Sequence, residues 1–259
     1  MNTIHPPGQE ERQLWNKVPQ VTIFFWIIKI MATTVGETAA DFLNFNLNWG
    51  LTITTLAISG LLLISLYFQM DAKKYVPSLY WITVVLISVV GTLITDNLVD
   101  NLGVPLESAT LCFSIALLIT FVAWYASEKT LSIHSITTAK REAFYWLAIL
   151  FTFALGTAAG DLVAESMNLG YGVSAVIFAI IIGAVTFAHF RLKLNAVAAF
   201  WIAYILTRPL GASLGDYLSQ PRSEGGLELG TTGTSLIFIV IIFGLILYLT
   251  KSKKDQIAA

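Results

Sequence analysis

This sequence predicts an all-α polytopic membrane protein of eight transmembrane helices, built as four parallel two-helix repeats around a pseudo-fourfold axis. Three observations lead there. Hydrophobic residues make up 56% of the chain and charged residues only 12%, against about 25% charged in soluble domains, and mean hydropathy is +0.74. Eight segments approach the roughly 20 apolar residues a helix needs to cross hydrocarbon. Finally, one pattern occurs four times without gaps: an aromatic-Trp pair, a Gly ten positions after the Trp, and an Asp five positions after the Gly. Its copies are Phe25-Trp26, Gly36, Asp41; Tyr80-Trp81, Gly91, Asp96; Tyr145-Trp146, Gly156, Asp161; and Phe200-Trp201, Gly211, Asp216. A repeat of this length is one structural unit copied.

The spans follow in order. The segment from Met1 to Gln20 is polar, with Pro6, Pro7, Glu10, Glu11 and Arg12, and no small-residue cleavage site follows it. No removed leader is therefore expected, and the first span serves as the insertion signal. That span, 20–43, carries Lys29, Glu37 and Asp41. The Asn46-Leu47-Asn48-Trp49-Gly50 run reads as a turn, and span two, 51–69, carries no charged residue. Span three covers 76–99 and ends at Asn101-Leu102-Gly103; span four, 106–126, holds the single cysteine, Cys112, expected to pack as a small hydrophobe. After the Ser132–Lys140 linker, span five covers 143–164, and Asn168-Leu169-Gly170 turns the chain into span six, 172–190. Span seven, 195–218, contains Arg208 and Pro209, a proline expected to kink it. The Gln220–Gly230 stretch leads to span eight, 232–250. The motif Trps lie 55, 65 and 55 residues apart, the longer interval containing the linker, which suggests an ancestral doubling. The repeats run approximately 18–71, 74–128, 141–193 and 194–254 in a single transmembrane domain, 1–259.

Charge sets the orientation. Arg12, Lys17, Lys73, Lys74, Lys129, Lys140, Arg141, Arg191, Lys193, Lys251, Lys253 and Lys254 fall on one side of the spans and Arg222 alone on the other. The positive-inside rule then places both termini in the cytoplasm. Two spans per repeat make all four copies point the same way.

Within each odd span the Trp sits near the cytoplasmic third and the Asp near the outer end, about 22 Å further along. Fifteen residues at roughly 100° each bring Trp and Asp to the same face. Steps of four from each Asp trace polar columns: Asp41, Glu37, Thr33, Lys29; Asp96, Thr92, Ser88; Asp161, Thr157; and Asp216, Ala212, Arg208. Asp100 and Glu165 extend two of them outward as an acidic mouth. The Glys at 36, 91, 156 and 211 suit close approach of a neighbouring helix, and Trp26, Trp81, Trp146 and Trp201 suit packing or interfacial anchoring. Any one Asp taken alone has a plainer role open to it, ending its helix and bonding loop amides. Glu37 lies deeper, where an acid needs a partner or water. Lys29 and Arg208 offer charge balance or a gate, through a Glu37–Arg208 or Asp41–Arg208 bridge.

The opening Lys17-Val18-Pro19-Gln20, Trp26, Lys29 and Val35-Gly36-Glu37-Thr38-Ala39-Ala40-Asp41, with the four Trp and Gly-x-x-x-x-Asp helix ends, resembles the bacterial integral membrane protein family built from a repeat of unknown function. The resemblance spans about Lys17 to Lys254 and implies eight spans and the inner (plasma) membrane; it implies no activity. The Gly-Glu-x-x-x-Asp run alone is also similar, in a different residue order, to acidic helix motifs of small manganese and calcium exporters.

The function expected is a transporter or permease for a hard cation, a divalent such as Mn²⁺ being favoured. Glu37, Asp41, Asp96, Asp161 and Asp216 are the metal or ion ligands, helped by hydroxyls of Thr38, Thr92, Thr95 and Thr157; oxygen donors suit hard ions. The alternative is a non-transporting sensor or scaffold whose intramembrane charges form structural salt bridges. An enzyme is not expected, because the spans hold neither two-His metal motifs nor Ser–His arrangements. Of the histidines, His5 and His134 fall in cytoplasmic segments and His189 reads as interfacial. No resident cofactor is implied, and no basic stretch suggests nucleic acid. The partners are the lipid bilayer and a small cation or polar solute, with room left for a homo-oligomer.

Overall fold

Local capping chemistry starts most of the odd helices. Thr22, Thr138 and Asn195 accept backbone N–H bonds through their side-chain oxygens, which satisfies donors that a helix start leaves free. Pro77 opens another helix at its first turn, where its missing N–H costs nothing. The computed structural model describes residues 16–256; Arg12, His5 and the other residues noted before Asn16 lie outside the described residues. Eight long helices follow: α1 Ile23–Asp41, α2 Leu51–Asp71, α3 Pro77–Asp96, α4 Leu106–Glu128, α5 Ala139–Asp161, α6 Tyr171–Leu192, α7 Ala196–Ser219 and α8 Gly230–Ser252. All eight are long and apolar enough to cross a membrane.

Three odd helices do not stop at the motif Asp. A π-helical turn follows Asp41, Asp96 and Asp161, over Phe42–Asn46, Asn97–Asn101 and Leu162–Ser166. Asn46 and Asn101, expected in turns, are thus the last helical residues. The reversal then needs left-handed backbone: Asn48 and Asn168 have φ of 54° and 58°, and Gly50 and Gly170 have 74° and 75°, conformations that Gly and Asn reach at least cost. α7 lacks the π turn and runs through Pro209 to Ser219 as one helix, although proline supplies no N–H to the carbonyl of Ile205.

The odd helices form a closed cycle in which α1 packs on α3, α3 on α5, α5 on α7 and α7 on α1. The even helices lie outside. In α1 61% of the apolar window is buried, against 22% in α2, and side chains such as Leu63, Tyr67, Ile180, Phe187 and Phe243 are exposed as lipid-facing residues should be. Cys112 is on this outer surface rather than packed inside, because the face of α4 that carries it points away from α5. Each even helix docks on the odd helix of the following repeat: α2 on α3, α4 on α5, α6 on α7, and α8 back on α1. The last helix therefore closes the cycle on the first.

Beneath the Trp ends the chain is tied by an extended strap before α1. Lys17 donates through Nζ to Glu142 at 2.8 Å and to the Met70 carbonyl at 2.7 Å. Its backbone N–H bonds the Ile136 carbonyl, and that of Gln20 bonds the Asp255 carbonyl. Tyr75 donates to the Asp255 carboxylate at 2.6 Å. Burial pushes the Asp255 carboxyl above the usual carboxylate range, against the opposing pull of the Tyr75 hydroxyl. Its contribution to docking the tail is therefore complete below the unfolded value of about 3.9 and is lost as pH rises through the higher folded value. Asp255→Asn is expected to flatten that decline in a plot of melting temperature against pH.

Candidate functional site

The repeat motif builds four layers along the cycle of odd helices. The lowest is aromatic, with the first aromatic residue of each repeat set against the Trp of the next: Phe25 on Trp81, Tyr80 on Trp146, Tyr145 on Trp201 and Phe200 on Trp26, with ring centroids 5.5, 5.5, 6.2 and 5.7 Å apart. Such contacts stabilise beyond the area they bury. Tyr80 and Tyr145 share a hydroxyl–hydroxyl bond, and Trp201 donates Nε1–H to the Leu131 carbonyl at 2.9 Å. Trp81, Trp146 and Trp201 are buried and Trp26 half-buried, so the motif Trps are internal packing residues rather than an interfacial belt.

Above the aromatic layer, each motif Gly receives the residue three positions before the Gly of the following repeat. Ser88 lies against Gly36, Phe153 against Gly91, Arg208 against Gly156 and Thr33 against Gly211. A Cβ at any of the four would overlap that neighbour. The cyclic pairing depends on small residues to bring the backbones together.

One turn further on lies the position just after each motif Gly, occupied by Glu37, Thr92, Thr157 and Ala212. Arg208 fills the middle of this layer and is fully buried. It donates to Glu37 Oε2 at 3.0 Å, to Thr157 Oγ1 at 2.7 Å, to Thr92 Oγ1, and through Nη1 to the Thr33 carbonyl at 2.9 Å. The planar guanidinium holds its donors in a fixed fork, where a lysine ammonium is a compact charge on a flexible stem. Nη1 and Nη2 serve three helices, Nη2 sharing its two hydrogens among Glu37, Thr92 and Thr157, while Nε–H is left without a partner among the described residues. The fourth helix supplies the arginine itself and only a methyl group, Ala212, at the position where the others carry oxygen. Thr92 and Thr157, expected as ion ligands, therefore bond Arg208.

Lys29 lies below this layer and is also fully buried. It has no ion pair among the described residues. Its Nζ rests 4.3 Å from the Phe153 ring centroid and 4.2 Å from that of Tyr204, with Thr207 Oγ1 at 3.4 Å. Aromatic faces attract an ammonium, but they do not balance its charge as a carboxylate would. Of the two expected cations, Arg208 takes Glu37 and Lys29 takes the rings.

The uppermost layer is a cavity of about 220 Å³ at the Asp end. Glu37, Asp41, Asp96, Asp161 and Asp216 line it, with Asp100 and Glu165 at the mouth, and no Lys or Arg side chain does. Glu37 and Asp216 are each 6% exposed, whereas Asp100 and Glu165 are exposed; the acids grade from buried to open. Tyr171, which donates to Glu165 at 3.2 Å, and Asn44 and Gln220 complete the wall. These three escape a search for recurring motifs because they occupy helix ends and π turns outside the repeated pattern. Thr95 lines the cavity but gives its hydroxyl proton to the Gly91 or Ala154 carbonyl. Thr38 does not reach the cavity and bonds Ser235 of α8 at 2.7 Å. Among the described residues, no three or more His, Cys, Asp or Glu side chains converge closely enough to hold a metal ion between them. A larger cavity of about 660 Å³ opens between α1, α6 and α7 toward the Trp end. His134, His189 and mostly apolar side chains line it, and no carboxylate does.

Helix length, hydropathy and this layered interior define a multi-pass α-helical membrane protein of four tandem helix pairs, with Lys29, Glu37 and Arg208 buried inside its central cycle and the motif carboxylates gathered at one end. Within that class the chain belongs to the family defined by the Repeat of Unknown Function (DUF347), whose model matches residues 24–75, 79–130, 144–195 and 199–255. No curated protein and no solved structure matches it.

Proposed function

We propose that the protein is a transporter for a hard cation, with divalent ions favoured, seated in the bacterial inner membrane with both termini cytoplasmic. Its four parallel repeats would surround a pseudo-fourfold axis along the membrane normal. The observation that carries this reading is the cavity at the Asp end, where seven carboxyl groups face one space without a lining cation among the described residues. Low-dielectric walls bearing charge of one sign concentrate counter-ions, and intramembrane acids mark ion pathways. The lysines and arginines gathered at the Trp end support the orientation, which makes the acidic cavity an external vestibule.

In this scheme the Arg208 layer closes the floor of the vestibule, and Arg208 stands in for the transported cation at Glu37 while the path is closed. Lys29 and the aromatic layer seal the remaining depth. An incoming cation competes with the guanidinium for Glu37, and release of Arg208 from its three helices loosens the cycle. Uptake into proteoliposomes, measured for hard divalent cations, sodium and protons, tests the proposal. Glu37→Gln keeps an acceptor oxygen for Arg208 but removes the charge, and the expected result is loss of flux with normal expression. Unchanged flux in that variant, or no flux of any cation through the wild type, would favour a scaffold held together by the same bridge.

A further inference from the structure

We infer that the vestibule takes its cation with the water shell intact, as an octahedral hexa-aqua ion of the Mg²⁺ class held by outer-sphere hydrogen bonds to carboxylates. The inference rests on the cation reading of this cavity and deepens it by naming the form of the substrate. Three features of the site lead to it.

The first is spacing. Direct coordination of a hard divalent ion brings oxygen ligands to 2.0–2.6 Å of a common centre. Here the acids come from four different helices and stand around the cavity rather than in it, and no three of them converge to metal-ligand distance among the described residues. The second is volume. A water needs about 10–15 Å³ of space open to its centre, and the roughly 220 Å³ of such space here admits an ion with six waters around it. A bare ion would leave most of that space to be filled by something else. The third is an unpaired acceptor. Asp216 is 6% exposed and lines the cavity, yet among the described residues it has no ion pair and its carboxylate accepts no hydrogen bond. A buried carboxylate needs donors, and the polarised waters of a divalent cation supply them. Mg²⁺ sheds its shell reluctantly and keeps several waters when bound, so a wall of spaced carboxylates recognises it without the cost of dehydration.

Hexaamminecobalt(III) separates this mode from direct coordination. It has the size and octahedral shape of the hexa-aqua ion, presents N–H donors on every side and does not exchange its ligands. Calorimetric titration of the purified protein in detergent is expected to show Mg²⁺ and hexaamminecobalt(III) competing for one site. Asp216→Asn should weaken both by about tenfold or more, with an unchanged melting temperature; Asp96→Asn serves as a second variant should the first not fold. Binding of Mg²⁺ or Mn²⁺ that hexaamminecobalt(III) fails to displace would overturn the inference and leave the cation reading standing. Displacement without any flux in proteoliposomes would confirm the site and overturn the transport reading. Binding of none of the three ions would overturn both.

Discussion

Arg208→Met is expected to destabilise the folded protein by about 3–5 kcal/mol, the usual consequence of removing one partner from a buried ion pair. Glu37 would be left buried beside the cycle without its cation, and Thr92, Thr157 and the Thr33 carbonyl would lose their shared donor. The double variant Arg208→Met, Glu37→Met should regain most of that loss, because apolar replacement of a whole buried pair is often neutral or stabilising. Arg208→Lys should fall between, since one ammonium cannot reach acceptors on three helices in the planar geometry of a guanidinium. Denaturant or thermal unfolding in detergent, followed through the buried tryptophans, gives the full cycle. Wild-type stability in Arg208→Met would show that the bridge contributes little to the fold, and the closed floor of the vestibule would need another explanation.

Why this arginine and not Lys29 holds Glu37 shows where sequence reading stops. The columns spaced by four residues are a property of any α-helix, so the alignment of Glu37, Asp41, Asp96, Asp161 and Asp216 toward a shared interior can be read from the chain. So can the gap at Ala212, once the four residues after the motif Gly are set beside one another as Glu, Thr, Thr and Ala. The choice between two cations depends on distances across helices, which the chain does not encode locally. Lys29 is seven positions before its motif Gly and Arg208 three before its own, and that one turn puts Arg208 level with Glu37 and Lys29 among the rings. The docking of each even helix on the next repeat is equally hidden. These helices are apolar over most of their surface, and the few polar side chains on their buried faces, such as Thr54, Ser65, Gln69 and Ser174, do not say which neighbour they cover. The π turns after the Asps arise from a shift in backbone hydrogen bonding that no side-chain pattern announces.

Gly91→Ala should be far more damaging than a single methyl group suggests, costing roughly 3 kcal/mol, the upper part of the range for overpacking. The added Cβ would stand 2.5 Å from the Cβ of Phe153, 3.1 Å from the backbone nitrogen of Ala154 and 3.2 Å from the Phe153 carbonyl carbon. Two of those atoms are main chain, so no rotamer change relieves the overlap and α3 must move away from α5. The Thr95 bond to the Ala154 carbonyl, 3.0 Å long, crosses the same contact and would stretch with it. Gly60→Ala is the control. Nothing lies within 4 Å of a Cβ there, and alanine improves helix propensity by up to about 1 kcal/mol, so this variant should match or exceed the wild type. Melting temperatures of both, with Gly36→Ala and Gly211→Ala alongside, decide whether the four contacts act as one cycle. Every helix in the cycle is held on two sides by the same kind of contact, so opening one joint releases strain into its neighbours, and all three motif variants should be destabilised where Gly60→Ala is not. Tolerance of alanine at Gly91 would mean that α3 and α5 are free to separate, and the cavity walls that depend on their spacing would be equally free to move.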